Sequence, residues 1–266
     1  MAYMVKYLVI TIAAVAVAGL TFFSGFGLGT LLMPVFAVFF PVKIAIAATA
    51  VIHLANNIFK VAIVGRHARM KIVLLFAVPG AVAAMAGAML LNYFAALPAW
   101  ASYVLAGREY FITPEKSIIA LLIIVFAAME LTPAFKNLSF DLQLIPVGGL
   151  LSGFFGGLSG HQGALRTAFL LRAGLDKNAL IGTMVISAVV VDCARLAIYG
   201  TTFFQEDFIV LKTQGVLGLI AAGSLAAFIG SYAGAHLLKK ITLAGLQKMI
   251  AGMLLLLALA LGAGIV

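Results

Sequence analysis

The chain has little charge. Charged residues fill 9% of its 266 positions, against about a quarter in a soluble domain, so ordinary water-facing surface is scarce. Acids are scarcer than bases, 8 Asp and Glu against 17 Lys and Arg. The resulting net charge of +9 does not argue for a nucleic-acid partner, because the cations are scattered through short loops, where membrane proteins keep them to set topology. A single cysteine, Cys193, excludes an intrachain disulfide. No His-Glu-x-x-His run occurs, and Ser159 and His161 stand too close in sequence to imply a dyad. An enzyme is therefore not expected, and neither are catalytic residues, a metal or a cofactor. There is also no alternation of apolar and polar residues of the kind a β-barrel requires.

What is present is apolar length. Hydrophobic residues make up 65% of the chain, in segments at about 4–23, 28–40, 43–65, 70–95, 116–133, 142–156, 163–174, 176–200, 212–237 and 246–265. Most approach the roughly 20 residues that a bilayer span needs. No soluble domain is visible; the longest polar-leaning stretch is a loop at about 97–116. The first segment, with Lys6 and then Ala16-Val17-Ala18, has the outline of a signal peptide but is read as a retained helix, because a repeat described next uses it.

The second and seventh segments are short, and each follows a Gly-rich break. The first break is Ser24-Gly25-Phe26-Gly27-Leu28-Gly29 and the second is Gly156-Gly157-Leu158-Ser159-Gly160-His161-Gln162-Gly163. The halves then match. Pro41-Val42-Lys43-Ile44-Ala45 leads to Thr49 as Leu175-Asp176-Lys177-Asn178-Ala179 leads to Thr183, Gly29 pairs with Gly163 at the same offset, and Asn57 and Lys60 fall opposite Asp192 and Arg195 with one insertion. The fold expected is an all-α polytopic membrane protein of two inverted repeats, residues 1–135 and 136–266. Each repeat is a Gly-broken helical hairpin plus three transmembrane helices. If the broken segments are re-entrant, loop cations divide nine against five between the two sides, in accord with the positive-inside rule. If they are short full spans, the division is six against eight and sets no orientation. Both arrangements stay open at the level of sequence.

Backbone without helical hydrogen bonds is tolerated in a bilayer only inside protein or beside a watery cavity. A helix starting after each break offers free N–H groups and partial positive charge, which suit an anion. Gly27, Gly29, Gly160 and Gly163 line the two starts. Arg166 stands one turn into the second, at a depth where an ionisable residue defaults to function. His161 and Gln162 add donors at the tip, with Ser24, Ser152 and Ser159 as further hydroxyls. His53, Asn56, Asn57 and Lys60 follow helical spacing and share one side of the third segment; Asp192 and Arg195 are their counterparts. The candidate anion site is therefore Gly27, Gly29, Asn56, Asn57, Lys60, Gly160, His161, Gln162, Gly163, Arg166 and Arg195. Asp192, Glu130 and His53 are candidates for carrying a coupling proton. Plainer alternatives stand beside these: glycines that only permit close helix packing, Lys60 and Arg195 snorkelling to the headgroups, and Asp192 pairing structurally with Arg195.

The first break with Leu31-Leu32-Met33-Pro34, then Pro41-Val42-Lys43-Ile44-Ala45 and Thr49, resembles the sulfite exporter TauE/SafE family. The second copy departs from the family's plain Gly-rich form, with His161, Gln162 and Arg166, and with Ala168 where the first has Pro34. The resemblance implies a multi-pass transporter of the cytoplasmic (inner) membrane that exports sulfite or an organosulfonate such as sulfoacetate. Its partners would be that anion, protons and the bilayer, in a monomer or an oligomer. Secondary transport by alternating access is the leading expectation, an anion channel the alternative, and an intramembrane enzyme the least favoured.

Overall fold

A computed structural model describes residues 2–22, 27–132, 139–202, 215–237 and 243–266. Among them are ten α-helices: α1 (Ala2–Leu20), α2 (Leu28–Ala37), α3 (Val42–Val64), α4 (Met70–Ala95), α5 (Pro114–Leu131), α6 (Ile145–Ser159), α7 (Gly163–Leu170), α8 (Lys177–Thr202), α9 (Val216–Leu237) and α10 (Leu243–Gly262). Helix is the form in which each apolar run satisfies its own backbone inside a bilayer. Six helices are long and apolar enough to cross a membrane. At 1.5 Å per residue, α2 and α7 reach only about 15 and about 12 Å, well short of the roughly 30 Å hydrocarbon core.

Helix starts are marked where the chain leaves the apolar runs. Pro114 opens α5, and Thr113 Oγ1 accepts from Lys116 N at 3.2 Å. Asp176 precedes α8, and its Oδ1 accepts from the N–H groups of Ala179 (3.0 Å) and Asn178 (2.9 Å). These bonds, that from Ala179 foremost, hold its carboxyl below the ordinary carboxylate range.

Packing follows a regular plan. Helix α4 runs along α6, and α1 along α9; α4 also meets α8, and α3 meets α9; α3 packs on α8, and α5 on α10. The short helices follow suit, α2 against α1 and α3, α7 against α6 and α8. Small residues permit the closest of these approaches. On α6, Gly149, Gly153 and Gly157 recur every fourth residue and face α4. A methyl on each would lie 2.1, 2.0 and 2.0 Å from the carbonyl oxygens of Phe76, Gly80 and Ala84. Gly230 and Gly234 of α9 sit likewise on α1, where a methyl would come within 2.2 Å of the Val15 oxygen and 2.4 Å of the Gly19 oxygen. The plainer reading of the glycines therefore holds for Gly157. The opposite side of α4 presents Leu74, Val78, Val82 and Met89, all more than half exposed, as a lipid-facing stripe requires.

One element departs from the all-α expectation. The stretch read as a polar-leaning loop contains an antiparallel hairpin, β1 (Ala101–Leu105) with β2 (Arg108–Ile112). Ala106 and Gly107 have positive φ, 51° and 76°, as a two-residue turn between twisted strands demands. Tyr103 stacks on Tyr110 across the strands, and its hydroxyl donates to Ala263 O at 2.7 Å. Lys116 Nζ donates to Gly264 O at 3.3 Å. The hairpin thus ties the loop before α5 to the end of α10.

Gly153→Ala is expected to destabilise the protein by about 2 kcal/mol or more, because the new methyl meets rigid backbone. Gly200→Ala, where a methyl meets nothing within 4 Å, is expected to be neutral or slightly stabilising. Thermal unfolding of both variants in detergent checks this, and equal midpoints would remove the close α4–α6 contact from the account.

Candidate functional site

The second break is built before anything binds to it. Helix α6 ends at Gly160, whose positive φ of 82° lets its N–H return to Gly156 O at 3.0 Å. Ser152 Oγ donates to Gln162 O at 2.7 Å and fastens the end of the break to α6. The last carbonyls of α6 are then claimed by side chains. Arg195 Nη1 donates to Gly156 O at 2.9 Å, the Tyr199 hydroxyl to Gly157 O, and His161 Nδ1 to Ser159 O at 3.0 Å. A cation at a helix C-terminus is also where the helix dipole favours it. Helix α7 then starts at Gly163, and Arg166 N closes its first turn on Gln162 O at 3.1 Å. The N–H groups of residues 163–165 have no acceptor within the helix.

The first break meets the second. Gly27 caps α2 with φ 117°, and a methyl there would lie 2.6 Å from Thr21 Cγ2, so both conformation and space require glycine. A methyl on Gly29, in the first turn of α2, would lie 3.5 Å from Gly160 O and 3.6 Å from the His53 ring. The two helix starts, the second break and α3 therefore converge.

Asp192 of α8 is the hub of that convergence and is fully buried. Its Oδ1 accepts from Arg195 Nη2 (2.7 Å), Arg195 Nε (3.0 Å) and Gln162 Nε2 (2.9 Å). Its Oδ2 accepts from His53 Nδ1 at 2.6 Å, and Asn57 Nδ2 lies 3.4 Å away. These bonds tie α3, the second break and α8 to a single carboxylate. Arg166 Nη1 donates to Gln162 Oε1 at 3.3 Å and lies within electrostatic reach of Lys60. Lys60, 5% exposed, sits over the Phe22 ring at 5.3 Å and has no carboxylate partner among the described residues. Among the described side chains, the buried charged groups of this cluster are Lys60, Arg166, Arg195 and Asp192.

Most of the expected residues gather here: Gly29, His53, Asn57, Lys60, Gly160, His161, Gln162, Gly163, Arg166, Asp192 and Arg195. Neither Lys60 nor Arg195 snorkels, since both are buried. Asp192 and Arg195 do form the expected i, i+3 pair. Asn56 is turned elsewhere. Its Oδ1 accepts from Ser231 of α9 at 2.7 Å, because α3 is wedged between α8 and α9 and has polar contacts on both sides. Ser24 and the side chain of Glu130 lie outside the described residues. Sequence reasoning missed Tyr199, Phe126, Phe22 and Ser231. Tyr199 was findable: it follows Asp192 and Arg195 at i+7 and i+4, on the same side of one helix. Phe126, stacked on His161 with centroids 5.5 Å apart, gives no such signal in an apolar segment.

The chain matches the family model described as Sulfite exporter TauE/SafE over residues 10–261. No curated protein matches it, and neither does any solved structure.

Arg195→Ala strips Asp192 of its ion pair and Gly156 of a donor, and a buried charge left so is expected to cost about 3–5 kcal/mol. The thermal midpoint in detergent is expected to collapse, and Asp192→Asn added to the same protein to restore part of it. A single Arg195→Ala variant as stable as wild type would remove Asp192 as the structural hub.

Proposed function

The chain belongs to the sulfite exporter TauE/SafE family, and from that premise we propose that it exports a small sulfur oxyanion, sulfite or an organosulfonate such as sulfoacetate, across the cytoplasmic membrane. The observation that carries this reading is the buried gathering of Lys60, Arg166 and Arg195 where the two broken segments meet. A cation in a membrane interior is costly, and an anion beside Lys60 offsets that cost for as long as it is bound.

Roles divide along the geometry. Arg166 and Lys60 supply the attraction. The N–H groups that open α2 and α7 supply directional donors, with Gly27, Gly29, Gly160 and Gly163 allowing the close approach. Gln162 and Asn57 orient themselves on Asp192 and present the remaining amide surface. Arg195 acts as a positioning residue, since each of its nitrogens is already engaged with Asp192 or the end of α6.

Transport proceeds by alternating access and is coupled to protons. Residues 1–135 and 136–266 act as two inverted repeats whose broken segments enter from opposite sides. What supports the repeat is the packing plan: exchanging α1–α5 for α6–α10 turns α4–α6 into α1–α9, and α4–α8 into α3–α9, and leaves α3–α8 and α5–α10 unchanged. The exposed stripe on α4 and the six long apolar helices suit the lipid surroundings that this cycle needs.

Sulfite binding measured by calorimetry is expected to be saturable, with sulfate and chloride as weaker competitors. Arg166→Ala is expected to lose about tenfold or more in affinity, the worth of one charge-assisted hydrogen bond. Equal affinity in the variant would take Arg166 out of the site. In proteoliposomes, saturable counter-flow is expected of a carrier, whereas a linear, non-saturating flux would make the same cage a channel filter.

A further inference from the structure

We propose that His161 is the group that takes up a proton as the anion binds and returns it as the anion leaves; this rests on the anion-transporter reading above. His161 stands between Gly160 and Gln162, immediately before the first turn of α7, and is 2% exposed. Its Nδ1 lies 3.0 Å from the carbonyl oxygen of Ser159 and 3.2 Å from Ser159 Oγ. A carbonyl can only accept, so Nδ1 carries the ring proton. The Ser159 hydroxyl donates to Phe155 O at 3.0 Å, which leaves Oγ to accept as well. In the neutral ring the lone pair is therefore on Nε2. That atom is buried and has no hydrogen-bond partner among the described residues, an expensive arrangement unless something else arrives to donate to it.

The other candidates whose side chains are described, Asp192 and His53, are committed. Both oxygens of Asp192 are filled by Arg195, Gln162, His53 and Asn57. His53 gives its Nδ1 proton to Asp192, and Asn57 Nδ2 lies over the same ring edge, 3.0 Å from Nδ1 and 3.4 Å from Nε2. Lysine and arginine carry no lone pair when charged. His161 alone among the described site residues has a fixed tautomer and an open acceptor.

Its neighbours make that acceptor responsive to an anion. Arg195 of α8 is a cation beside the residue that precedes His161: a methyl at Gly160 would lie 3.7 Å from Arg195 Nη1. Arg166 stands on α7, and α6 contributes only Ser159. From α5, Phe126 stacks on the ring at an interplanar angle of 9°, and the backbone places Glu130 one turn further along. Asp192 is already matched by Arg195. A cation beside the ring opposes a second positive charge, and an arriving anion removes that opposition. The transfer is simple: the O–H proton of hydrogensulfite moves to Nε2, leaving an imidazolium beside a sulfite dianion with no change in total charge.

The test compares purified wild type with His161→Gln. Sulfite is titrated calorimetrically in buffers of different ionisation heat, across the range in which imidazole titrates, about pH 5 to 8. Wild type is expected to hold about one more proton per bound sulfite than the variant. Identical proton counts and pH profiles overturn the assignment to His161 and leave the transporter reading standing. Absence of sulfite binding by wild type at any pH overturns both. Wild-type protein labelled with 15N-histidine reads the same event without substitution: one of the four rings is expected to gain an Nε2 proton when sulfite is added, and four unchanged rings overturn the proposal.

Discussion

Asp192 has no water to solvate it, so its charge must be answered by groups carried in on the protein. Those groups come from three places that are distant along the chain: His53 and Asn57 on α3, Gln162 in the second break, and Arg195 three residues further along α8. Satisfying one carboxylate therefore fixes how α3 and α8 cross and where the second break sits between them. The same arginine reaches Gly156 O, so the ionic hub is continuous with the hydrogen bonds that terminate α6. A buried ion pair is weak evidence for stability on its own. Here it is better understood as a device for register, holding an irregular stretch of backbone at a set place in a setting that offers no solvent.

That irregular stretch is possible because its surroundings are so closely packed. Gly149, Gly153 and Gly157 bring α6 to within backbone contact of α4, which walls the break off from lipid. Gly230 and Gly234 do the same for α1 and α9. Both sides of the molecule thus use small residues every fourth position to gain what larger side chains provide in water-soluble cores.

Much of this was legible in the sequence because a bilayer permits so few solutions. Uninterrupted apolar runs gave the helices, and the two Gly-rich breaks gave the places where helices stop and restart. Arg166, Lys60, Asp192 and Arg195 stood out because charge in an apolar segment has few cheap explanations. Less legible was anything that depends on which side of a helix meets which neighbour. Asn56 shares a helical side with His53 and Asn57 in sequence, yet bonds to Ser231 because α9 packs there. Phe126 is one aromatic among many apolar residues until the His161 ring is seen lying on it. The hairpin at Ala101–Ile112 reads as a loop in sequence because its short strands pair with each other and bond to Ala263, just beyond α10, and neither partner announces itself in composition.

The burial of Lys60 and Arg166 has an electrical meaning as well as a chemical one. To the potential across a membrane, a buried charge that moves is a gating charge, worth about 2.3 kcal/mol per unit charge and 100 mV for whatever share of the field it traverses. On the alternating-access reading proposed above, a bound anion subtracts from that moving charge, so the loaded and the empty protein would respond differently to the membrane potential.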